Sequence, residues 1–419
     1  MKILFSMGEM EKDINANTKI VLQLAEKLVS MGHSCVVAGV CNAFPRDEVK
    51  NGVQIKRMAA IPPVVKASEA FEQFAAQHGS RNSSRAEFVK KHPLHSVVMF
   101  LRYRTEYSRM VEQPRYLKQL KTLAAEFCPD VLVCVCKPVN YTETVAASDI
   151  GCPMYLYQLD PWGLHRIDNP NNSEDIINRE LAVLERAKGV FTTPVLKRQY
   201  LQHSGYRKYA DKIESVEFPN IKKYQSKAKI SSAIEFDSQY VNILFCGIVA
   251  DQFRSPEYVL RALETAFESG EKIRVYFLGV NNSRVLDRYI EKYPQNVFFF
   301  DKVPADKAFA TMEKADVLLN ISNTLDNQVP SKIFDYFSMG KPVLNLQKIE
   351  NCPAEEYFEK YPICFNMKEF EKADSGMLYE FLKSTKGRKL DFDEVEKIYS
   401  KATVEYVAGV MAKVFEDNA

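Results

Sequence analysis

Apolar residues follow two rhythms that alternate along the chain. Residues 2–6 (K-I-L-F-S) and 34–40 (S-C-V-V-A-G-V) read as strands, the second apolar enough to be buried on both faces. Between them Ile20, Val21, Leu24, Ala25 and Leu28 recur at helical spacing, which predicts a helix over 18–30. A strand, a helix and a parallel strand make a βαβ unit. Residues 54–58, 129–136, 153–159 and 189–192 continue as strands, with a helix over 173–187. The same grammar restarts at Val241. V-N-I-L-F-C-G (241–247) and I-R-V-Y-F-L-G (273–279) are strands, each expected to end in a glycine turn. Residues 297–300, 316–320 and 342–346 are further strands, and 257–269 and 306–314 are helices. The chain closes on one long amphipathic helix, 394–416.

These patterns predict an α/β protein with two Rossmann-like parallel-sheet domains facing a cleft. Residues 1–220 form the first domain, closed by Phe218-Pro219-Asn220, with a helical basic insertion at 64–127. Residues 221–239 are polar and aperiodic and read as a linker. Residues 240–392 form the second domain, and a helix over 393–419 packs back toward the first. Ligands of open parallel sheets bind at the carboxyl ends of the strands. The turns after Gly247 and Gly279 and the loop 322–329 would therefore line one such edge.

The segment 324–346 (T-L-D-N-Q-V-P-S-K-I-F-D-Y-F-S-M-G-K-P-V-L-N-L) carries the candidate chemistry. It reads as loop, helix, tight turn and buried strand. Pro330 suits a first helical turn, Ile333, Phe334 and Phe337 form an apolar stripe, and Gly340 with Pro342 ends the helix. Unpaired N–H groups at a helix start suit phosphate, and Ser331 and Lys332 add a hydroxyl and an ammonium. Asp335 lies four residues on, so its carboxylate leans back toward the helix start and suits sugar hydroxyls. Together they suit a nucleotide. The alternative is a capped amphipathic helix with a solvated Asp and Lys.

Composition removes several classes. With 56 Lys+Arg and 54 Asp+Glu there is no global charge case for nucleic acid. Locally, residues 81–121 hold ten Lys/Arg against three Glu, interleaved with Phe100, Tyr103, Tyr107 and Tyr116. Such a run is either a solvated helical face or a docking surface for an anionic membrane or a phosphate-bearing acceptor. Nine scattered cysteines, with Cys134 and Cys136 inside a strand, lack metal or redox spacing and read as free thiols in a reducing compartment. The six histidines show no H-x-x-x-H pair, so no metal is expected. The start of the chain does not read as a signal peptide, and no apolar run is long enough to span a membrane. The expected location is the cytoplasm, with peripheral contact to the inner membrane face as a further option.

Two Rossmann-like domains, a central linker and N-Q-V-P-S-K-I-F-D-Y-F-S-M-G-K-P-V-L resemble the GT-B glycosyltransferases, in particular the retaining "group 1" set and its bacterial surface-polysaccharide variants. The likeness is strongest over 241–346 and only general in the first half. It implies a hexosyltransferase type of enzyme in polysaccharide or glycoconjugate synthesis. The donor would be a nucleotide-diphosphate sugar and the acceptor a glycan or lipid-linked acceptor. Anomeric configuration would be retained, with no cofactor and no metal. Gly247, Arg254, Gly279, Asn327, Gln328, Pro330, Ser331, Lys332 and Asp335 would bind the donor, Asp335 holding the ribose. Arg254 and Lys332 would stabilise the leaving diphosphate. In the first domain Asp160, in L-D-P-W, is the candidate sugar contact or base, and His165 a second polar group; turn and loop roles are their alternatives. Trp162 would stack on a sugar or simply pack. The chain departs from the family pattern twice. Asn327 stands where the first of two acidic residues is usual, and Ile248 where an Arg is usual.

Other readings make different demands. A nicotinamide-dependent oxidoreductase needs G-x-G-x-x-G after a strand, and neither C-N-A-F after Val40 nor I-V-A-D after Gly247 provides it. A sugar-nucleotide epimerase or hydrolase on the same fold would bind donor without acceptor. A catalytically weak glycan- or lipid-binding protein would bind donor without turnover.

Overall fold

The computed structural model describes residues 1–10, 16–41, 47–59, 93, 108–136, 139–165, 171, 173–224 and 230–418. The chain divides into two compact units, Met1–Pro219 with Val404–Ala419, and Asn220–Thr403.

In the first unit the strands are β1 (Lys2–Met7), β2 (Ser34–Cys41), β3 (Glu48–Lys50), β4 (Val53–Ala59), β5 (Val131–Val135), β6 (Met154–Gln158), β7 (Gly189–Thr192) and β8 (Ile213–Ser215). They form one sheet in the order β3-β4-β2-β1-β5-β6-β7-β8, parallel except at β3–β4. β1 sits where the order reverses, with Ile3 between Cys35 and Val131. Its apolar run Ile3–Phe5 matches its place, since a central parallel strand is covered on both faces. The helix Val404–Asp417 belongs to this unit and sets the Phe415 ring against Tyr155 (4.8 Å) and Phe191 (5.7 Å).

In the second unit the strands are β9 (Val241–Ala250), β10 (Ile273–Asn282), β11 (Val297–Asp301), β12 (Val317–Ile321), β13 (Val343–Gln347) and β14 (Cys364–Lys368). Their order is β11-β10-β9-β12-β13-β14, parallel throughout.

Three sequence expectations are corrected by the structure. β9 and β10 do not turn at Gly247 and Gly279. They run on as a pair through Ala250 and Asn282, because each glycine faces the other and the backbones can close up there. The single helix expected over 394–416 is two, Phe392–Ile398 and Val404–Asp417. The break falls where Ile221 N donates to Ala402 O at 2.9 Å and residues 221 and 403 form a parallel bridge. Within the expected linker, Ala233 N donates to Thr311 Oγ1 at 2.8 Å and Ile234 is buried, so residues 233–234 pack on the second unit. Of the expected insertion at 64–127, residues 64–107 lie, but for residue 93, outside the described residues, and so does most of its basic stretch 81–121. Its last part is the helix Gln113–Phe127, whose Tyr116 is buried with its hydroxyl 2.7 Å from Ser6 Oγ.

Candidate functional site

The helix of the 324–346 segment is Lys332–Ser338. Its first turn starts one step earlier, with Ile333 N donating to Pro330 O (3.2 Å) and Phe334 N to Ser331 O (3.3 Å). Ser331 is itself helical and its side chain does not cap. Ile333, Phe334 and Phe337 are fully buried. Phe334 meets the edge of Tyr357 (5.3 Å), and Phe337 stacks on Tyr399 at 4.6 Å and 5°. Burial of such side chains is worth about 1.5–3 kcal/mol each, so this bed holds a seven-residue helix that would not form alone. Gly340, at φ +67°, ends it; a Cβ there would lie 2.3 Å from Leu390 O, so only glycine fits.

The helix is tied to the sheet by Tyr336. Cys246 N donates to the Tyr336 hydroxyl at 3.2 Å, and that hydroxyl faces Cys246 O at 3.3 Å. β12 pairs with β9 only through Phe245, so beyond that point Tyr336 takes the backbone groups that β12 leaves. Burial pushes the Tyr336 phenol well above its ordinary value, with Arg254 opposing and Asp335 adding to the shift. Burial pushes the Cys246 thiol up to about 11, with Lys332 pulling it down. Lys332 and Asp335 thus stand on the short helix that Tyr336 fastens to Cys246 in β9.

Arg254 follows the end of β9 in a tight turn, its N donating to Ala250 O at 2.8 Å. Burial lowers its guanidinium from the ordinary value, and its buried Nε has no hydrogen-bond partner among the described residues. Gly247 and Gly279 pair across β9 and β10; a Cβ on Gly279 would lie 1.9 Å from Gly247 O. Asn327 is buried, while Gln328, Pro330, Ser331, Lys332 and Asp335 are half-buried. Ile248 is 43% exposed, so the position where an Arg is usual is an apolar side chain at the surface.

In the first unit, Asp160 follows the carboxyl end of β6 and is half-buried. With Asn17, Cys136 and Tyr157 it lines a narrow cavity. The Tyr157 hydroxyl is buried without a hydrogen-bond partner among the described residues. His165 and Trp162 are buried in the same loop, His165 N donating to Trp162 O at 3.1 Å. A wider cavity of about 630 Å³ opens at the opposite edge of the sheet, by Pro153, Lys188 and Lys212, and holds none of the candidate residues. Among the described residues no His, Cys, Asp and Glu group is gathered that could hold a metal, and no helix is long and apolar enough to cross a membrane.

Tyr336, Tyr157 and the buried Glu180 were not singled out from sequence. Tyr336 meets Cys246 ninety residues away, and no local pattern signals that.

No protein-family model matches the chain, and no curated protein matches it by sequence. Solved structures do match its fold over nearly the whole length. The sucrose-phosphate synthase of Thermosynechococcus elongatus is 12% identical with a TM-score of 0.61, covering 100% of this chain and 99% of that one. The lipopolysaccharide outer core galactosyltransferase WaaB is 12% identical with a TM-score of 0.56, covering 100% of both chains. The UDP-GlcNAc 2-epimerase of Methanocaldococcus jannaschii is 10% identical with a TM-score of 0.54, covering 99% of this chain and 100% of that one. The chain therefore has the two-domain, Rossmann-like α/β fold found in GT-B glycosyltransferases.

Proposed function

We propose that this protein is a glycosyltransferase that moves a hexose from a nucleotide-diphosphate sugar to a glycan or lipid-linked acceptor, with retention of configuration, in polysaccharide or glycoconjugate synthesis. The observation that carries the reading is that Lys332 and Asp335 stand on the helix that Tyr336 ties to Cys246 of β9, with Arg254 in the turn that follows that strand. Two cations and a carboxylate at the strand ends of a parallel sheet suit a diphosphate beside a ribose. Asp335 accepts from the ribose hydroxyls. Arg254 and Lys332 stabilise the charge that develops on the diphosphate as the glycosidic bond breaks. Arg254 enters this role already partly desolvated and with Nε unpaired, so a bound oxyanion gains a donor at little further cost. Gly247 and Gly279 bring the β9 and β10 backbones together next to Cys246, and Asn327, Gln328, Pro330 and Ser331 complete the donor loop. Asp160 is the sugar contact or base on the acceptor side, with His165 as its polar neighbour. The enzyme needs no metal or cofactor in this scheme and works in the cytoplasm, with residues 81–121 as the docking stretch for an anionic membrane.

A thermal-shift screen of nucleoside diphosphates and nucleotide sugars tests the reading, with Asp335→Ala beside the wild type. Binding to the folded state raises apparent stability by mass action. Stabilisation by at least one nucleotide, lost in Asp335→Ala, is the expected result; no shift with any of them sinks the donor site. The epimerase structures of the same fold support a second reading, epimerisation or hydrolysis of the sugar nucleotide. Product analysis separates the two, since only transfer requires an acceptor.

A further inference from the structure

Glu180 lies in the middle of the helix Glu174–Arg186 and is 0% exposed. Four donors meet its carboxyl group, and all four are neutral. Tyr200 Oη and Gln158 Nε2 (2.6 Å) donate to Oε1; Tyr206 Oη and Gly163 N (2.8 Å) donate to Oε2. The Tyr200 and Tyr206 rings stack at 4.5 Å and 5°, which fixes both hydroxyls. Four acceptor sites is what a carboxylate offers, and a glutamine amide would set N–H against two of these donors. Burial pushes the Glu180 carboxyl up from its ordinary value, and the four hydrogen bonds pull it down.

Three of the donors sit in β6 and in the helices after β7. The fourth, Gly163 N, belongs to the loop 160–165 that carries Asp160, Trp162 and His165. The approach is built for glycine. A Cβ on Gly163 would lie 2.6 Å from Tyr206 Oη, 2.7 Å from Glu180 Oε2 and 3.1 Å from Ile177 Cα. Gln158 belongs to the same design, because it donates to Glu180 from the last residue of β6, two before Asp160. One buried carboxyl group therefore holds both the strand end and the turn beyond it.

We propose that Glu180 is a positioning residue, a buried carboxyl clamp that sets the loop 160–165 so that Asp160 stands in its working place at the end of β6. The effect on turnover rests on the sugar-transfer reading; the clamp itself does not. Trp162 is the only Trp in the chain, so its emission reports on this loop alone.

The test uses the full chain with Glu180→Gln and Gly163→Ala. Both variants are expected to unfold cooperatively and to keep the nucleotide-induced thermal shift. Both should red-shift Trp162 emission and raise its quenching by acrylamide severalfold. With an active donor–acceptor pair, kcat should fall at least about tenfold while the donor KM stays within about twofold. Should Glu180→Gln fail to fold, Tyr206→Phe keeps the carboxyl group and removes one donor, and a smaller shift of the same sign is expected. Trp162 emission and quenching unchanged in every folded variant would show that Glu180 does not hold the loop. A moved Trp162 with unchanged kcat would remove the positioning role. If the wild type binds no nucleotide and transfers no sugar, the functional reading fails, and the fluorescence arm still decides the clamp.

Discussion

The phenol of Tyr336 joins both backbone groups of Cys246, at 3.2 Å to the N–H and 3.3 Å to the carbonyl oxygen. It completes β9 where β12 stops pairing, and it fastens the helix Lys332–Ser338 to the sheet. Tyr336→Phe leaves both groups buried and unpaired. A loss of about 1–3 kcal/mol is expected by urea denaturation, together with weaker nucleotide binding. Loss of stability without any effect on binding would separate this link from the donor site.

Gly279 has almost no room, with a would-be Cβ 1.9 Å from Gly247 O at φ +150°. Gly270, at φ +74°, has nothing within 4 Å. Gly279→Ala should cost at least about 3 kcal/mol, as backbone strain and overpacking act together. Gly270→Ala should cost only about 1–2 kcal/mol, since it bears the conformational term alone. Melting temperatures of the two variants check the contrast.

Arg254 supplies a charge-assisted donor in the proposed diphosphate site. Arg254→Ala should weaken nucleoside diphosphate binding about 10- to 100-fold by calorimetry, the worth of one such bond. Arg254→Lys should recover only part of that, because an ammonium keeps the charge and loses the planar fork. Binding of the uncharged nucleoside should be equal in all three proteins.

Glu180 carries a pH signature. Its folded carboxyl value is raised above 4.5, so the folded chain holds the proton more tightly than the unfolded one. Its contribution is fully present below pH 4.5 and is lost as the pH rises through the folded value. The stability of the wild type relative to Glu180→Gln should therefore fall as pH rises above about 4.5, read from urea midpoints. Tyr200, Tyr206 and Cys136, which face it, are all pushed upward and stay protonated over that range. An opposite slope would mean that the four donors outweigh burial.

Hydrophobic rhythm alone located most of the sheet. The runs that became β1, β2, β5, β6 and β7, and β9 to β13, are legible because a parallel strand covered on both faces is predominantly apolar, and the run 54–58 became β4. The candidate loop and helix were legible for a similar reason: Phe334, Phe337, Gly340 and Pro342 bury, turn and stop locally. Some local signals went unread. Asn51-Gly52, both at positive φ, make the turn of the β3–β4 hairpin. What sequence by itself determined was thus the α/β grammar and the local run of loop, helix, glycine turn and strand over 324–346. Tertiary structure decided the rest, because it depends on partners far apart in the chain. The extension of β9 and β10 past their glycines needs Gly247 opposite Gly279. Tyr336 gains its role from Cys246, and Glu180 from Gln158, Gly163, Tyr200 and Tyr206. Periodicity reports which face of an element is buried; it carries no record of which distant group will meet it there.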